Sequence, residues 1–260
     1  MEHPSRLGAR LLITLAALPL PALAGTGPYV LSASAGYNQE SHDQFFDSDN
    51  FITTLGLSRQ IDRWNYAGGL TYSHKDIDVP NSAVSATSKA LGGYVSATGN
   101  LWRGGFVSLA ASYGRNDTDY QPTLNIDADA IGYTVAVTQA IPLNTKVSAA
   151  LTAAYTYSVY RPDNVSPPPF TATDSTQGLL STGARLVYHA SRYQPYVLVA
   201  YKHYRHDLIG NNDLDFFDVG VGASMPLGNG RRVTLALSNW LGLEDYQRLG
   251  ATLTYTHPFK

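Results

Sequence analysis

The segment that decides the fold runs from Val147 to Val159. In it Val147, Ala149, Leu151, Ala153, Tyr155, Tyr157 and Val159 alternate with Ser148, Ala150, Thr152, Ala154, Thr156 and Ser158. One face is apolar and the other is small and mostly hydroxylated, with the two-residue period of an extended strand. In a soluble sandwich the solvent face would carry Lys, Glu and Arg while large aliphatic side chains packed the interior. Here the polar face is almost free of charge, too bland for bulk water and too polar for a dry core. A strand with its apolar face in lipid and its other face lining a lumen meets both conditions.

The same dyad recurs in both directions from this segment. Tyr29, Leu31, Ala33, Ala35 and Tyr37 alternate with Ser32, Ser34 and Gly36. Ile131, Tyr133, Val135 and Val137 alternate with Gly132, Thr134 and Ala136, and Leu249, Ala251, Leu253 and Tyr255 with Gly250, Thr252 and Thr254. Alternating segments fall near residues 28–38, 50–60, 64–74, 87–98, 105–115, 129–140, 146–160, 177–189, 193–204, 214–225, 231–241 and 247–259. The pattern predicts an all-β chain forming a 12-stranded antiparallel transmembrane β-barrel, whose even strand count returns both ends to one side.

Connections between these segments alternate in length. Short ones pass through Ile61-Asp62-Arg63, Gly99 to Gly104, Ile141 to Asn144, Ala190 to Arg192 and Pro226 to Gly230, the last with the hairpin dipeptide Asn229-Gly230. Long ones span Gln39–Asp49, Lys75–Ala86, Asn116–Ala128, Arg161–Thr176 and Arg205–Asp213. The short set is expected in the periplasm and the long set outside the cell. Arg59, Arg63, Arg103, Lys146, Arg192, Arg231 and Arg232 flank the short set against the single carboxylate Asp62. Tyr29 and Tyr37, Trp64 and Tyr72, and Tyr196 and Tyr201 fit interfacial aromatic girdles.

Composition removes other classes. Lys and Arg number 18 against 20 Asp and Glu, so the chain lacks the cationic excess of a nucleic-acid binder. No Cys is present, which eliminates disulfide scaffolds and thiol catalysis. The longest apolar run, Leu11 to Leu20, is about half the length of a transmembrane helix. With Arg6 and Arg10 before it and Ala22-Leu23-Ala24 after it, that run reads as a signal peptide over residues 1–24. Residues 25–260 then form one outer-membrane domain, with the bacterial outer membrane as its expected location.

Short stretches along the chain carry a family likeness: Phe51 to Arg59, Tyr66 to Ser73, Leu91 to Val95, Gly105 to Gly114 and Ala130 to Val137. Their succession resembles the C-terminal translocator barrel of the autotransporter, or type V secretion, family. The resemblance implies a 12-stranded barrel spanning about residues 28 to 259, here without a passenger, since only Gly25, Thr26 and Gly27 stand between the signal peptide and the first strand. It also implies insertion by the barrel-assembly machinery through an alternating C-terminal signal, carried here by Leu253, Tyr255, His257 and Phe259, with Lys260 after the usual terminal aromatic.

Within the predicted barrel, strand parity turns Arg185, Lys202 and Asp218 into the lumen, with Lys202 and Asp218 at similar height. Paired carboxylates at i and i+2 recur as Asp47/Asp49, Asp76/Asp78, Asp117/Asp119, Asp127/Asp129 and Asp213/Asp215. Such oxygen-rich pairs suit divalent cations as candidate loop cofactors, and equally serve as turn formers that keep loops soluble. His203, His206 and Asp207 resemble in composition the His and Asp pair of omptin-type proteases, without a positional motif, and His74, His189 and His257 are isolated. The expected role is therefore a monomeric, non-enzymatic passive pore or envelope structural protein, in contact with outer-membrane lipid and lipopolysaccharide. A surface binding module using acidic loops is the alternative, and an outer-membrane hydrolase the third reading.

Overall fold

Hydrocarbon offers no partner to a free backbone N–H or C=O, so a sheet crosses it only when its two edges join. The computed structural model describes residues 27–259 apart from residues 43–45, 81, 83, 122–123, 167–172, 191, 207–212 and 244–245. In it the chain forms twelve strands: β1 (Tyr29–His42), β2 (Phe46–Ile61), β3 (Trp64–Asp78), β4 (Ser85–Trp102), β5 (Gly105–Gln121), β6 (Leu124–Pro142), β7 (Val147–Ser166), β8 (Ser175–Tyr188), β9 (Gln194–His206), β10 (Leu214–Gly228), β11 (Arg231–Leu241) and β12 (Tyr246–Phe259). Each pairs antiparallel with its neighbour in sequence, and β1 closes on β12 from Tyr29↔Phe259 to His42↔Tyr246. The proposed signal peptide lies outside the described residues.

All twelve expected strands are present, but several run further at their extracellular ends. β2 begins at Phe46, β5 reaches Gln121 and β6 begins at Leu124. Among the described residues the segments expected as long loops at 39–49, 75–86 and 116–128 are therefore mostly strand. The apolar row stops where the lipid stops, whereas the hydrogen-bond ladder continues on Asp, Asn, Ser and Thr side chains. At the opposite end the turns are short as expected, and Asn229 (φ 50°) and Gly230 (φ 75°) both adopt the left-handed region that a tight hairpin requires.

Lipid-facing and luminal rows follow strand parity. Leu70, Leu91 and Val95 are 62%, 62% and 64% exposed, an arrangement that would be costly in water at about 25 cal/mol per Å² of apolar surface and is neutral in hydrocarbon. The inward rows hold Ser, Thr, Gly and Ala, most of them half-buried, so the lower wall faces a cavity. Among the described residues a buried hydrophobic cluster forms near the extracellular end, around Phe216, Trp240 and Tyr246.

Candidate functional site

That cluster is the core of a charged belt on the inner wall. Parity turns Glu40 of β1, Lys75 of β3 and Arg248 of β12 to the same interior. Lys75 Nζ donates to Glu40 Oε2 at 2.7 Å, and Arg248 Nε lies 3.4 Å from Glu40 Oε1. Arg248 Nη2 also donates to Asn38 Oδ1 at 3.0 Å. The Glu40 and Arg248 side chains are 4% and 5% exposed, so the carboxylate is out of water and balanced by two cations. The rung depends on Gly250, the cross-strand partner of Asn38, because a Cβ there would stand 2.5 Å from Asn38 Oδ1.

A second ion pair lies on the adjoining strands. Lys202 of β9 donates from Nζ to Asp218 Oδ2 of β10 at 2.6 Å, with side chains 14% and 13% exposed. Trp240 of β11 joins the two groups. The Arg248 guanidinium stands 4.5 Å from the centre of its ring and Lys202 Nζ 5.8 Å, while Phe216 and Tyr246 pack at 4.4 and 5.5 Å. A cation against an indole face is stabilised by the ring quadrupole, more so when shielded from water. The belt thus runs from β9 through β12 and β1 to β3.

The facing wall is of different chemistry. Among the described residues no charged side chain turns inward on β4 to β7. Hydroxyls pair across the strands instead, at Thr98–Ser108 (2.9 Å), Thr134–Thr156 (3.0 Å) and Thr138–Thr152 (3.0 Å). Ser88, Asn116 and Thr118 close a buried triangle: Ser88 Oγ donates to Asn116 Oδ1 at 2.8 Å, and Thr118 Oγ1 lies 3.0 Å from Ser88 Oγ.

The structure brings together Lys202 and Asp218 but not Arg185. Ser181 stands opposite Lys202, and Arg185 is four residues further toward the periplasm, 3.7 Å above the ring of Tyr196. Tyr196 consequently corrects the girdle assignment, because it faces the lumen rather than lipid. Glu40, Lys75, Arg248 and Trp240 escaped the sequence reading. Continuing the row Ser32, Ser34, Gly36 by two more steps leads to Asn38 and Glu40, so parity alone would have found the carboxylate.

The paired aspartates stand on the outer surface of strands rather than on free loops, with Asp213 just before β10. Asp47 and Asp49 oppose Asp78 and Asp76, Asp117 opposes Asp127, Asp119 opposes Asn125, and Asp129 opposes Arg115. Tyr37, Tyr113 and Tyr201 donate to Asp49, Asp129 (2.8 Å) and Asp215 (2.5 Å) respectively. Among the described residues no three His, Cys, Asp or Glu side chains converge with metal-ligand spacing. His203 sits on the outer wall, 2.9 Å from Asp215 Oδ1 and 3.7 Å from Asp213 Oδ2. Asp207 and the His206 side chain, expected beside it, lie outside the described residues. His74 on β3, His189 just after β8 and His257 on β12 lie apart from one another, near Asp76, Ser148 and Tyr255. Leu253, Tyr255, His257 and Phe259 form the outward row of β12, where Phe259 stacks on Tyr29 at 5.8 Å.

A family model described as the autotransporter β-domain matches residues 30–238. Among solved structures, the chain is similar to the translocator domain of the autotransporter NalP from Neisseria meningitidis, with a TM-score of 0.75, 13% identity, and 89% of each chain covered. It is also similar to the β-domain of the Bordetella autotransporter BrkA (TM-score 0.72, 16% identity, 90% of this chain and 99% of that one). An outer-membrane channel of Pseudomonas putida F1 matches with a TM-score of 0.60 and 10% identity over 95% of this chain and 100% of that one. No curated protein matches by sequence.

Proposed function

Because the chain belongs to the autotransporter β-domain family and is a β-barrel of the bacterial outer membrane, we propose that it acts as a passive pore. The observation that carries this reading is the accessibility of the inward rows. Below the belt, Ser32, Ser34, Thr134, Ser148, Thr152 and Thr156 are only half-buried, as side chains lining a cavity are and those of a packed core are not. The belt occupies one side of the lumen, and the hydroxyl wall of β4 to β7 leaves the other side uncharged. The channel of Pseudomonas putida uses the same fold.

In this reading the protein works as a monomer and is not an enzyme. Among the described residues the ion pairs of His with carboxylates, at His74 and His203, sit on the outer wall away from the cavity. Its partners are outer-membrane lipid, lipopolysaccharide at the acidic outer rim, and the barrel-assembly machinery, which reads the outward row of β12. Single-channel recording of the refolded chain in a planar bilayer tests the pore. Discrete openings are expected, larger in Trp240→Ala, where the central slab of the belt is removed. A silent bilayer with correctly refolded protein overturns the reading.

A further inference from the structure

The two halves of the lumen differ in charge balance. Near the extracellular end the inward cations are paired: Lys75 and Arg248 with Glu40, and Lys202 with Asp218. Toward the periplasm two more cations turn inward, Arg185 on β8 and Arg232 at the start of β11, and no inward carboxylate accompanies them among the described residues. Strands β1 to β12 therefore present five luminal cations against two carboxylates, and two of the three surplus charges, Arg185 and Arg232, lie at the periplasmic end.

Arg185 is also built into its place. Tyr196 lies against the wall at Gly222, where a Cβ would come within 2.4 Å of the Tyr196 ring, so only glycine lets the ring lie flat. The Arg185 guanidinium stacks on that ring at 3.7 Å. Its buried Nε has no hydrogen-bond partner within the protein. The neighbouring Arg232 is close enough for the two positive charges to act on one another. A guanidinium stacked on a ring keeps the donors along its edge free for oxyanions, which it can grip bidentately.

We infer that Arg185 and Arg232 form an anion-binding site in the periplasmic half of the lumen, so that the barrel conducts small oxyanions such as carboxylates and phosphates in preference to cations. This rests on the pore reading and names its solute class. Fixed charge lining a pore favours the counter-ion. The paired Lys202 contributes little, since Asp218 neutralises it.

The test is a planar-bilayer recording of the refolded full chain under a potassium chloride gradient, followed by addition of citrate on the periplasmic side. Wild type is expected to reverse on the chloride side and to be blocked by citrate. The double variant Arg185→Gln, Arg232→Gln should lose both properties, while Arg185→Lys, which keeps the charge, should still reverse on the chloride side. If the double variant does not refold, Arg232→Gln alone should shift reversal toward zero. Open channels without anion preference in wild type, or unchanged selectivity in the refolded variants, overturn the inference and leave the pore standing. Absence of any conductance in wild type strikes the pore reading and this inference together.

Discussion

Tyr113 donates its hydroxyl proton to Asp129 at 2.8 Å, and Asp129 stands two residues beyond Ile131, the cross-strand partner of Tyr113. The same diagonal links Tyr37 to Asp49 past Phe51 and Tyr201 to Asp215 past Phe217. These bonds join β1 to β2, β5 to β6 and β9 to β10, so they recur at every fourth strand around the closed barrel. An aromatic girdle that sets membrane depth is thereby tied at three points to carboxylates just above the lipid.

At the third point the bond is expected to govern an acid titration. The Tyr201 hydroxyl, and after it His203, hold the Asp215 carboxyl below its ordinary value of 3.8. A depressed carboxylate stabilises the fold at pH above its unfolded value, and that contribution fades as pH falls through the folded one. Carbon-detected NMR should find Asp215 titrating below 3.8 in wild type and closer to it in Tyr201→Phe. Equal titration in the two proteins would show that the hydroxyl does not hold the carboxylate.

The Lys202–Asp218 pair should behave as a coupled unit. Asp218→Asn leaves an ammonium only 14% exposed without its counter-charge. A dry pair broken in this way costs about 3–5 kcal/mol, and the wet lumen lowers the expectation to roughly 1–3 kcal/mol. Urea unfolding in lipid micelles should show the loss, with Lys202→Met, Asp218→Leu less destabilised than the sum of its single changes. Additive losses would remove the coupling. Lys202→Glu would set two carboxylates together, so it reports on the pair rather than on ion preference.

Asp47 and Asp78 face each other across β2 and β3. Like charges directly opposite are unfavourable by about 0.2–1 kcal/mol, more at low salt. Asp78→Asn should raise the melting temperature in chelator, and millimolar calcium should raise that of wild type but not of the variant. A variant as calcium-sensitive as wild type would place cation binding elsewhere.

Orientation follows from the connections. Cysteines introduced at Ser82 and Asn125 should react with an impermeant maleimide on intact cells, and those at Asn144 and Asn229 only after permeabilisation. Labelling of Asn144→Cys on intact cells would invert the topology.

Strand number, order and facing were legible because lipid on one side and a lumen on the other write a two-residue period into every strand, as Val147 to Val159 shows. Strand length was not legible. Above the girdle neither face is apolar, and residues such as Asp117, Thr118 and Asp119 carry no pattern that separates a ladder from a loop. The Lys202–Asp218 contact followed from counting residues up from two short turns. The Glu40 group did not, because Lys75 reaches it across an intervening strand and Arg248 from the far end of the chain, the latter a contact that only closure of the barrel creates.

The unequal strand lengths give the mouth a direction. Tyr160 of β7 pairs with Ser175, the first residue of β8, so β7 continues six residues, about 20 Å along the strand, past its neighbour and remains paired there with β6. Among the described residues the rim is therefore a step, high over the hydroxyl wall and low over β8 to β11. A solute drifting across the cell surface from the β6–β7 side meets a parapet of ordered strand. Among the described strands the lower flank is thus the one that carries Lys202 and Asp218, and the higher flank is the uncharged hydroxyl wall.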